Sequence, residues 1–92
     1  MKLVIRRKAA DDLAAIFAWI AKDNWRAAEQ VVKRIRARIC YLTTPGLANI
    51  GRLGLDLGTR ELVEYPYIIV YEVHEQRGQI VVLAIFHAAQ DR

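Results

Sequence analysis

Two histidines and two arginines are the side chains of this sequence best suited to acid–base or phosphate chemistry. Metal-independent cleavage of RNA needs a base for the 2′-hydroxyl group, an acid for the leaving oxygen, and cations beside the phosphorane. His74 and His87 could transfer protons near neutral pH, and Arg52 and Arg60 could contact a phosphate. Whether these residues can act together depends on the strands that carry them.

The two histidines are predicted at opposite ends of one β-hairpin. Residues 67–74 and 79–86 are rich in β-branched and aromatic side chains and predict its two strands. The register places His74 beside the turn and His87 at the far end, opposite Pro66. At about 3.3 Å per residue the histidines are more than roughly 20 Å apart, so they cannot form a catalytic pair. We interpret His74 as a turn-flanking polar residue, whereas His87, at the sheet rim, keeps a structural and a functional interpretation.

The two arginines also keep more than one interpretation. In the predicted register Arg60 lies beside Tyr71, where it could contact a phosphate or stack on the tyrosine ring. A salt bridge from Arg60 to Glu61 or Glu72 is the structural alternative. Arg52 lies in a glycine-rich segment and is expected to reach outward.

The N-terminal part of the chain predicts one short strand and an amphipathic helix. Residues 2–6 contain three consecutive apolar side chains and are interpreted as a strand. From Ala9 the apolar residues recur with a helical period. Asp11 and Asp12 are expected in the first turn, where the helix dipole favours negative charge. The predicted buried face consists of Leu13, Ile16, Phe17 and Ile20.

A second helix follows almost at once and has one strongly basic face. Asn24 is a good N-cap, and residues 43–46 end the helix. Its apolar face consists of Ala28, Val32, Ile35, Ile39 and Leu42. Its basic face consists of Lys33, Arg34, Arg36 and Arg38. So short a connection predicts an antiparallel helical hairpin, with Trp19 and Trp25 interpreted as packing within it. The basic face is either solvated or a docking surface.

The element order predicts the fold class. Residues 45–59 contain four glycines without any phosphate-binding spacing and are interpreted as an irregular surface loop. Residues 60–65 are predicted to form a strand before the hairpin. The order is β-α-α-β-β-β, which predicts an α+β fold with an antiparallel sheet and a helical hairpin packed on one face.

The last strand is apolar on both of its alternating faces. We expect Ile80, Val82 and Phe86 to share one face and Val81, Leu83 and Ile85 to share the other. Two helices can cover only one face of a sheet. The second face therefore needs either the loop and tail or a partner protein to cover it.

Composition narrows the class of protein further. A chain of 92 residues that is 54% hydrophobic and 26% charged is expected to form one folded domain over residues 1–92. Residues 1–52 carry 11 basic and 4 acidic side chains, whereas residues 53–92 carry 3 and 6, which disfavours a general DNA-coating protein. The lone Cys40 excludes a multi-cysteine zinc site, and no motif indicates a metal or a cofactor. A free thiol and the lack of a membrane-length apolar run predict a cytoplasmic protein with no membrane contact.

Short segments spread along the chain carry a family resemblance. They are Ala10-Asp11-Asp12-Leu13-Ala14-Ala15-Ile16, Trp19-Ile20, Asn24 with Ala27-Ala28, Pro45, Gly51-Arg52-Leu53-Gly54, Gly58-Thr59-Arg60-Glu61-Leu62, Tyr67-Ile68-Ile69-Val70-Tyr71 and Phe86-His87-Ala88-Ala89-Gln90-Asp91. Their order and spacing in a β-α-α-β-β-β chain resemble toxins of the RelE/ParE superfamily, the poisonous half of type II toxin–antitoxin modules.

The resemblance implies one of two toxic activities. RelE-like members cleave mRNA on the ribosome, and ParE-like members poison DNA gyrase. Residues 67–71 resemble a Tyr-Arg-Leu-Val-Tyr strand of the nuclease members, in which the arginine contacts the scissile phosphate. Ile68 stands at the position of that arginine. The segment 58–62 and the ending 87–91 are similar to the ParE-like branch, so the resemblance favours a gyrase inhibitor that needs no catalytic residue. Its target-binding residues would be Arg52, Arg60, His87 and Gln90.

The resemblance also implies partners. An acidic, partly disordered antitoxin would neutralise Lys33, Arg34, Arg36 and Arg38 in a heteromeric toxin–antitoxin complex. DNA gyrase is the expected target. The alternatives are a ribosome-dependent endoribonuclease acting on mRNA through Arg52, Arg60 and His87, and an inactive or regulatory relative that acts only as a binding module.

Overall fold

The computed structural model describes residues 1–89, which fold as a helical hairpin on one face of a five-stranded sheet. The elements are β1 (Lys2–Ile5), α1 (Arg7–Ala21), α2 (Trp25–Tyr41), β2 (Arg52–Leu53), β3 (Arg60–Glu64), β4 (Tyr67–His74) and β5 (Gln79–His87). The strand order is β1-β5-β4-β3-β2. The predicted α+β class and the helical hairpin are confirmed.

The sheet differs from the expected one at its two edges. β1 pairs with β5 in parallel, with Leu3 beside Ile80 and Ile5 beside Val82, so the sheet is mostly rather than wholly antiparallel. At the other edge the glycine-rich segment contributes the two-residue strand β2, which the composition of that segment does not predict. Both differences involve pairing partners, which local periodicity does not specify.

The helices form where the apolar period predicts them. The side chain of Asn24 accepts a hydrogen bond from the backbone N–H of Ala27 at 3.0 Å, which confirms the predicted N-cap of α2. α1 begins at Arg7 rather than Ala9, so Asp11 and Asp12 both lie beyond the first turn, and the prediction that they lie within it is wrong. The core beneath the helices consists of Ala9, Leu13, Ile35, Ile39, Leu42, Leu62, Tyr67, Ile69, Tyr71, Ile80, Val82 and Ile85.

A β-bulge in β5 shifts the register of the last hairpin by one residue. The pairing passes from Tyr71 opposite Val82 to Val70 opposite Ala84, which leaves Leu83 as the extra residue. Before the bulge, the register is the predicted one. After it, each residue of β5 lies opposite a residue of β4 one position later than expected.

The bulge also inverts which side chains of β5 face the helices. Ile85 joins Ile80 and Val82 in the core, whereas Phe86 pairs with Ile68 on the opposite face. The expectation that Phe86 shares a face with Ile80 and Val82 is therefore wrong. One extra residue reverses the alternation, and the uniformly apolar composition of this strand does not mark where it lies.

Asp12 stabilises the strand just after the bulge. Its carboxylate accepts a hydrogen bond from the backbone N–H of Ile85 at 2.9 Å and pairs with the ammonium of Lys8 at 2.9 Å. The Asp12 carboxylate thus links α1 to β5 instead of capping the first turn of α1.

The sheet face opposite the helices is apolar at its centre. Ile68 and Val81 are 5% and 2% exposed yet lie outside the core that the helices cover. The loop that was one expected cover docks on the helix side, where Ala48 packs against the core. On the opposite face, Val63 remains 42% exposed. Because Ile68 and Val81 are nearly inaccessible, the centre of this face is already covered within residues 1–89, and the exposed apolar side chain on it is Val63.

Neither helix in residues 1–89 combines the length and hydropathy needed to cross a bilayer.

Candidate target-contact surface

A buried tyrosine fixes the glycine-rich loop to the sheet. The Tyr71 hydroxyl donates a hydrogen bond to the carbonyl oxygen of Ala48 at 2.8 Å and accepts one from the N–H of Gly51 at 3.0 Å. Burial raises the pKa of Tyr71, against the lowering effects of the Gly51 N–H and the Arg60 charge. The phenol therefore keeps the proton that it donates to the loop.

Arg60 reinforces the same attachment. It lies opposite Tyr71, as the predicted register requires. Its guanidinium donates to the carbonyl oxygens of Gly51 at 2.8 Å and Asn49 at 3.3 Å. This loop-holding role was missed by the sequence interpretation, because the loop residues that accept these bonds carry no periodic signal.

Gly51 is needed where the loop meets the sheet. A Cβ atom at this position would lie 2.7 Å from the Tyr71 hydroxyl oxygen and 2.8 Å from the Glu61 carbonyl oxygen. Both distances are shorter than a Cβ atom can approach another heavy atom without a clash. The close approach of backbone to backbone thus explains a glycine here.

Arg52 lies on the sheet edge beside a buried carboxylate. In the ladder it is opposite Glu61, and its Nε and Nη2 atoms lie 3.1 and 3.0 Å from Oε1 of that residue. The Glu61 side chain is 4% exposed and the Arg52 side chain 57% exposed. Arg52 therefore neutralises a buried charge while part of its surface faces solvent, in line with the expectation that it reaches outward.

Residues 52–60 form a β-hairpin, here termed the leucine hairpin, with exposed apolar side chains at its tip. The N–H of Gly54 donates to the Thr59 carbonyl at 2.9 Å, and the N–H of Thr59 donates to the Asp56 carbonyl at 3.1 Å. Gly58 has a φ of +84°, which suits the third position of this turn. The side chains that the turn presents are Leu53, Leu55 and Leu57, which are 78%, 73% and 102% exposed. The alternation of leucine with small or polar residues at 53–57 was the only sequence signal for this feature.

His87 lies at the opposite end of the sheet. It pairs with Tyr67, one residue from the predicted Pro66, because of the bulge in β5. The two rings meet edge to face with centroids 5.5 Å apart. Nδ1 of His87 accepts a hydrogen bond from the N–H of Ala89 at 3.0 Å, which places the proton of the neutral ring on Nε2.

An apolar depression adjoins His87. It has a volume of about 380 Å³ and is lined by Ala15, Ile16, Trp19, Tyr67 and His87. Trp19 is 71% exposed, with the Lys22 ammonium 5.1 Å from its ring centroid. Trp25 packs edge-on against Phe17 but remains 63% exposed. The prediction that both tryptophans pack within the helical hairpin is therefore met only by the Trp25 ring, and only in part; most of Trp19 faces solvent.

The structure does not bring the predicted site residues together. Arg60 lies opposite Tyr71 and His87 opposite Tyr67, so they are four residues apart along β4. That separation is about 13 Å at about 3.3 Å per residue. His74, at the far end of β4 from His87, is paired with Glu72 at 2.8 Å. Gln90, the remaining predicted contact, lies outside the described residues.

The basic face of α2 is open to solvent over most of its length. Lys33, Arg34 and Arg36 are exposed, whereas Arg38 is half-buried and pairs with Glu64 at 3.4 Å. A depression of about 380 Å³ on this face is lined by Arg34, Ala37, Arg38, Tyr41 and Glu64. Among residues 1–89 no group of three or more His, Cys, Asp or Glu side chains is placed to hold a metal ion.

These features define a small α+β protein with RelE/ParE-like topology, in which Arg52 and Arg60 lie at one end of the sheet and His87 at the other. The family model for the ParE toxin of the type II toxin–antitoxin system parDE matches residues 3–92, and the chain belongs to this family. It is similar to a solved chain from the chromosomal ParDE toxin–antitoxin system of P. aeruginosa, with 27% identity over 95% of each chain and a TM-score of 0.80. No curated protein sequence matches the chain. The predicted superfamily and its ParE-like branch are confirmed.

Proposed function

We propose that this ParE-family toxin inhibits DNA gyrase by protein–protein contact in the cytoplasm and is neutralised by a cognate acidic antitoxin. The observation that carries the proposal is the separation of Arg60 from His87 along β4. In a nuclease, the phosphate contact and the proton donor must both reach one scissile bond. Here Arg60 donates its hydrogen bonds to loop carbonyls and lies far from His87.

The side chain at position 68 supports the same conclusion. The nuclease members that the chain resembles carry an arginine there, whereas Ile68 is 5% exposed and lies opposite Phe86. An isoleucine can neither donate a hydrogen bond nor stabilise negative charge on a phosphorane. Inhibition through contact requires no such group.

The basic face of α2 supports the proposed antitoxin contact. Its exposed cations, Lys33, Arg34 and Arg36, lie on one helix and would attract an acidic segment over several ångströms. Tyr41, at the end of the same face, is 50% exposed and adds an apolar contact. The P. aeruginosa protein comes from a ParDE toxin–antitoxin system, which is consistent with a heteromeric complex for this chain.

Supercoiling of relaxed plasmid by purified gyrase tests the proposed target. Folded toxin, freed of antitoxin, is expected to inhibit supercoiling and to trap cleaved DNA. Lack of inhibition, together with ribosome-dependent cleavage of mRNA by the same preparation, would overturn the gyrase assignment and favour the nuclease alternative.

A further inference from the structure

The leucine hairpin exposes apolar side chains that folding does not require. Leu53, Leu55 and Leu57 lie within five residues of chain and are 78%, 73% and 102% exposed, and Ile50 at the base is 43% exposed. Scattered apolar residues on a surface need no explanation, whereas a cluster of this kind marks an interaction site. The residues predicted to contact the target are Arg52, Arg60, His87 and Gln90, and these leucines add an apolar surface to the loop around Arg52.

The hairpin is ordered before any partner binds. Its tip is closed by backbone hydrogen bonds from Gly54 to Thr59 and from Thr59 to Asp56, with a further bond of 2.6 Å from the Thr59 hydroxyl to the Asp56 carbonyl. Its base is held by the Tyr71 hydroxyl and the Arg60 guanidinium through Gly51. Binding to a pre-ordered loop loses less conformational entropy than binding to a mobile one.

Charge separates this surface from the proposed antitoxin contact. The exposed charges of the hairpin are Asp56 and Arg52, and Arg52 is paired with the buried Glu61. The hairpin therefore has little attraction for an acidic segment, which the exposed cations of α2 would draw elsewhere. The occupant that fits is an apolar groove on a folded protein.

A second copy of the chain fits less well. Four exposed aliphatic side chains offer an apolar patch of roughly a few hundred Å². A stable interface buries about 800 Å² on each partner. Two convex tips would bury only that patch on each copy, whereas a groove would also enclose the flanks of the hairpin.

We infer that the leucine hairpin docks into an apolar groove of the toxin's target protein, and that Leu55 and Leu57 are the anchoring side chains. This inference rests on the proposed function, in which the toxin acts by contact and the target is DNA gyrase. Arg60 and Tyr71 are positioning residues in this account, because they hold the hairpin without touching the target.

The double variant Leu55→Glu/Leu57→Glu tests the inference. Both side chains are exposed, so circular dichroism and thermal unfolding should match the wild type. Tyr65→Glu is the control for a carboxylate at an exposed apolar position, because Tyr65 is 81% exposed and precedes β4 at the opposite end of the β3–β4 pair. We expect the toxin concentration for half-inhibition of gyrase to rise by at least about tenfold in the double variant. The control should stay within about twofold of the wild type, and antitoxin affinity should be unchanged in both.

Three results would overturn the inference. One is a double variant as potent as the wild type. Another is loss of antitoxin binding in the double variant, which would assign the hairpin to the antitoxin. The third is a wild-type dimer that the double substitution dissociates, which would assign it to self-association.

Growth arrest after induced expression separates this inference from the proposed function. If the wild type arrests growth without inhibiting gyrase, and the double variant does not arrest growth, the gyrase assignment fails and the docking role of the hairpin stands. If both proteins inhibit gyrase equally, the proposed function stands and the hairpin inference fails. A wild type that neither arrests growth nor inhibits gyrase overturns both.

Discussion

The hairpin end and the His87 end of this sheet use their polar side chains in opposite ways. At the hairpin end, Tyr71 and Arg60 point their polar groups into the loop, and the leucines face solvent. At the other end, His87 and Trp19 are exposed beside an apolar depression. Residue type alone therefore does not predict which side chains face outward: Arg60 donates to loop carbonyls, whereas the aliphatic side chains of the hairpin are exposed.

Removal of the Tyr71 hydroxyl should have the largest effect on stability. Tyr71→Phe leaves the Gly51 N–H and the Ala48 carbonyl without their shared partner in a buried site. We expect the free energy of unfolding to fall by about 2–3 kcal/mol, measured by urea denaturation. The matched change Tyr65→Phe, at an exposed ring, should alter it by less than about 0.5 kcal/mol. Equal losses of unfolding free energy in the two variants would mean that the Tyr71 hydroxyl does not stabilise the loop more than an exposed tyrosine hydroxyl stabilises its surroundings.

Charge reversal on α2 should weaken antitoxin binding without affecting the target contact. Arg34→Glu/Arg36→Glu replaces two exposed cations with carboxylates, which repel an acidic partner. We expect antitoxin affinity, measured by isothermal titration calorimetry, to fall by about tenfold or more, and more strongly at low salt. Arg7→Glu/Arg77→Glu makes the same change in net charge at two exposed positions, in α1 and in the segment between β4 and β5, and serves as the control. Unchanged affinity in the α2 variant would place the antitoxin elsewhere.

His87→Ala should have a modest effect on toxicity. The ring contacts Tyr67 and lines the apolar depression, so its loss removes contact area and no proton transfer. We expect gyrase inhibition to weaken by less than about tenfold. A loss of roughly 10²–10⁴ in any toxic activity would instead indicate general acid–base catalysis and revive the nuclease alternative.

The raised pKa of Tyr71 predicts a pH dependence confined to alkaline solution. The folded protein keeps the phenolic proton to higher pH than the unfolded chain, in which tyrosine has a pKa of about 10. The stabilisation is therefore fully present below about pH 10 and is lost as the pH rises through the folded-state pKa. The difference in unfolding free energy between wild type and Tyr71→Phe should narrow above about pH 10, as denaturation at about pH 8 and about pH 11 would show. A difference that widens over this interval would contradict the assignment of the shift to burial.

The sequence by itself determined both helices, the strands β1, β3, β4 and β5, and their local register. The apolar period located both helices, and Asn24 marked the start of α2. The predicted pairing register correctly placed His74 opposite Gln79 and Arg60 opposite Tyr71. These features depend on side chains within a few positions of one another, where helical or alternating geometry leaves a periodic pattern.

Only the tertiary structure decided the parallel pairing of β1, the bulge at Leu83 and the docking of the loop on Tyr71. Each joins residues far apart in the chain or inserts a residue into a uniformly apolar strand, and no local pattern specifies such a choice. The exposed leucines belong to the same category. An apolar side chain is buried or exposed according to what packs over it, and that depends on the whole fold.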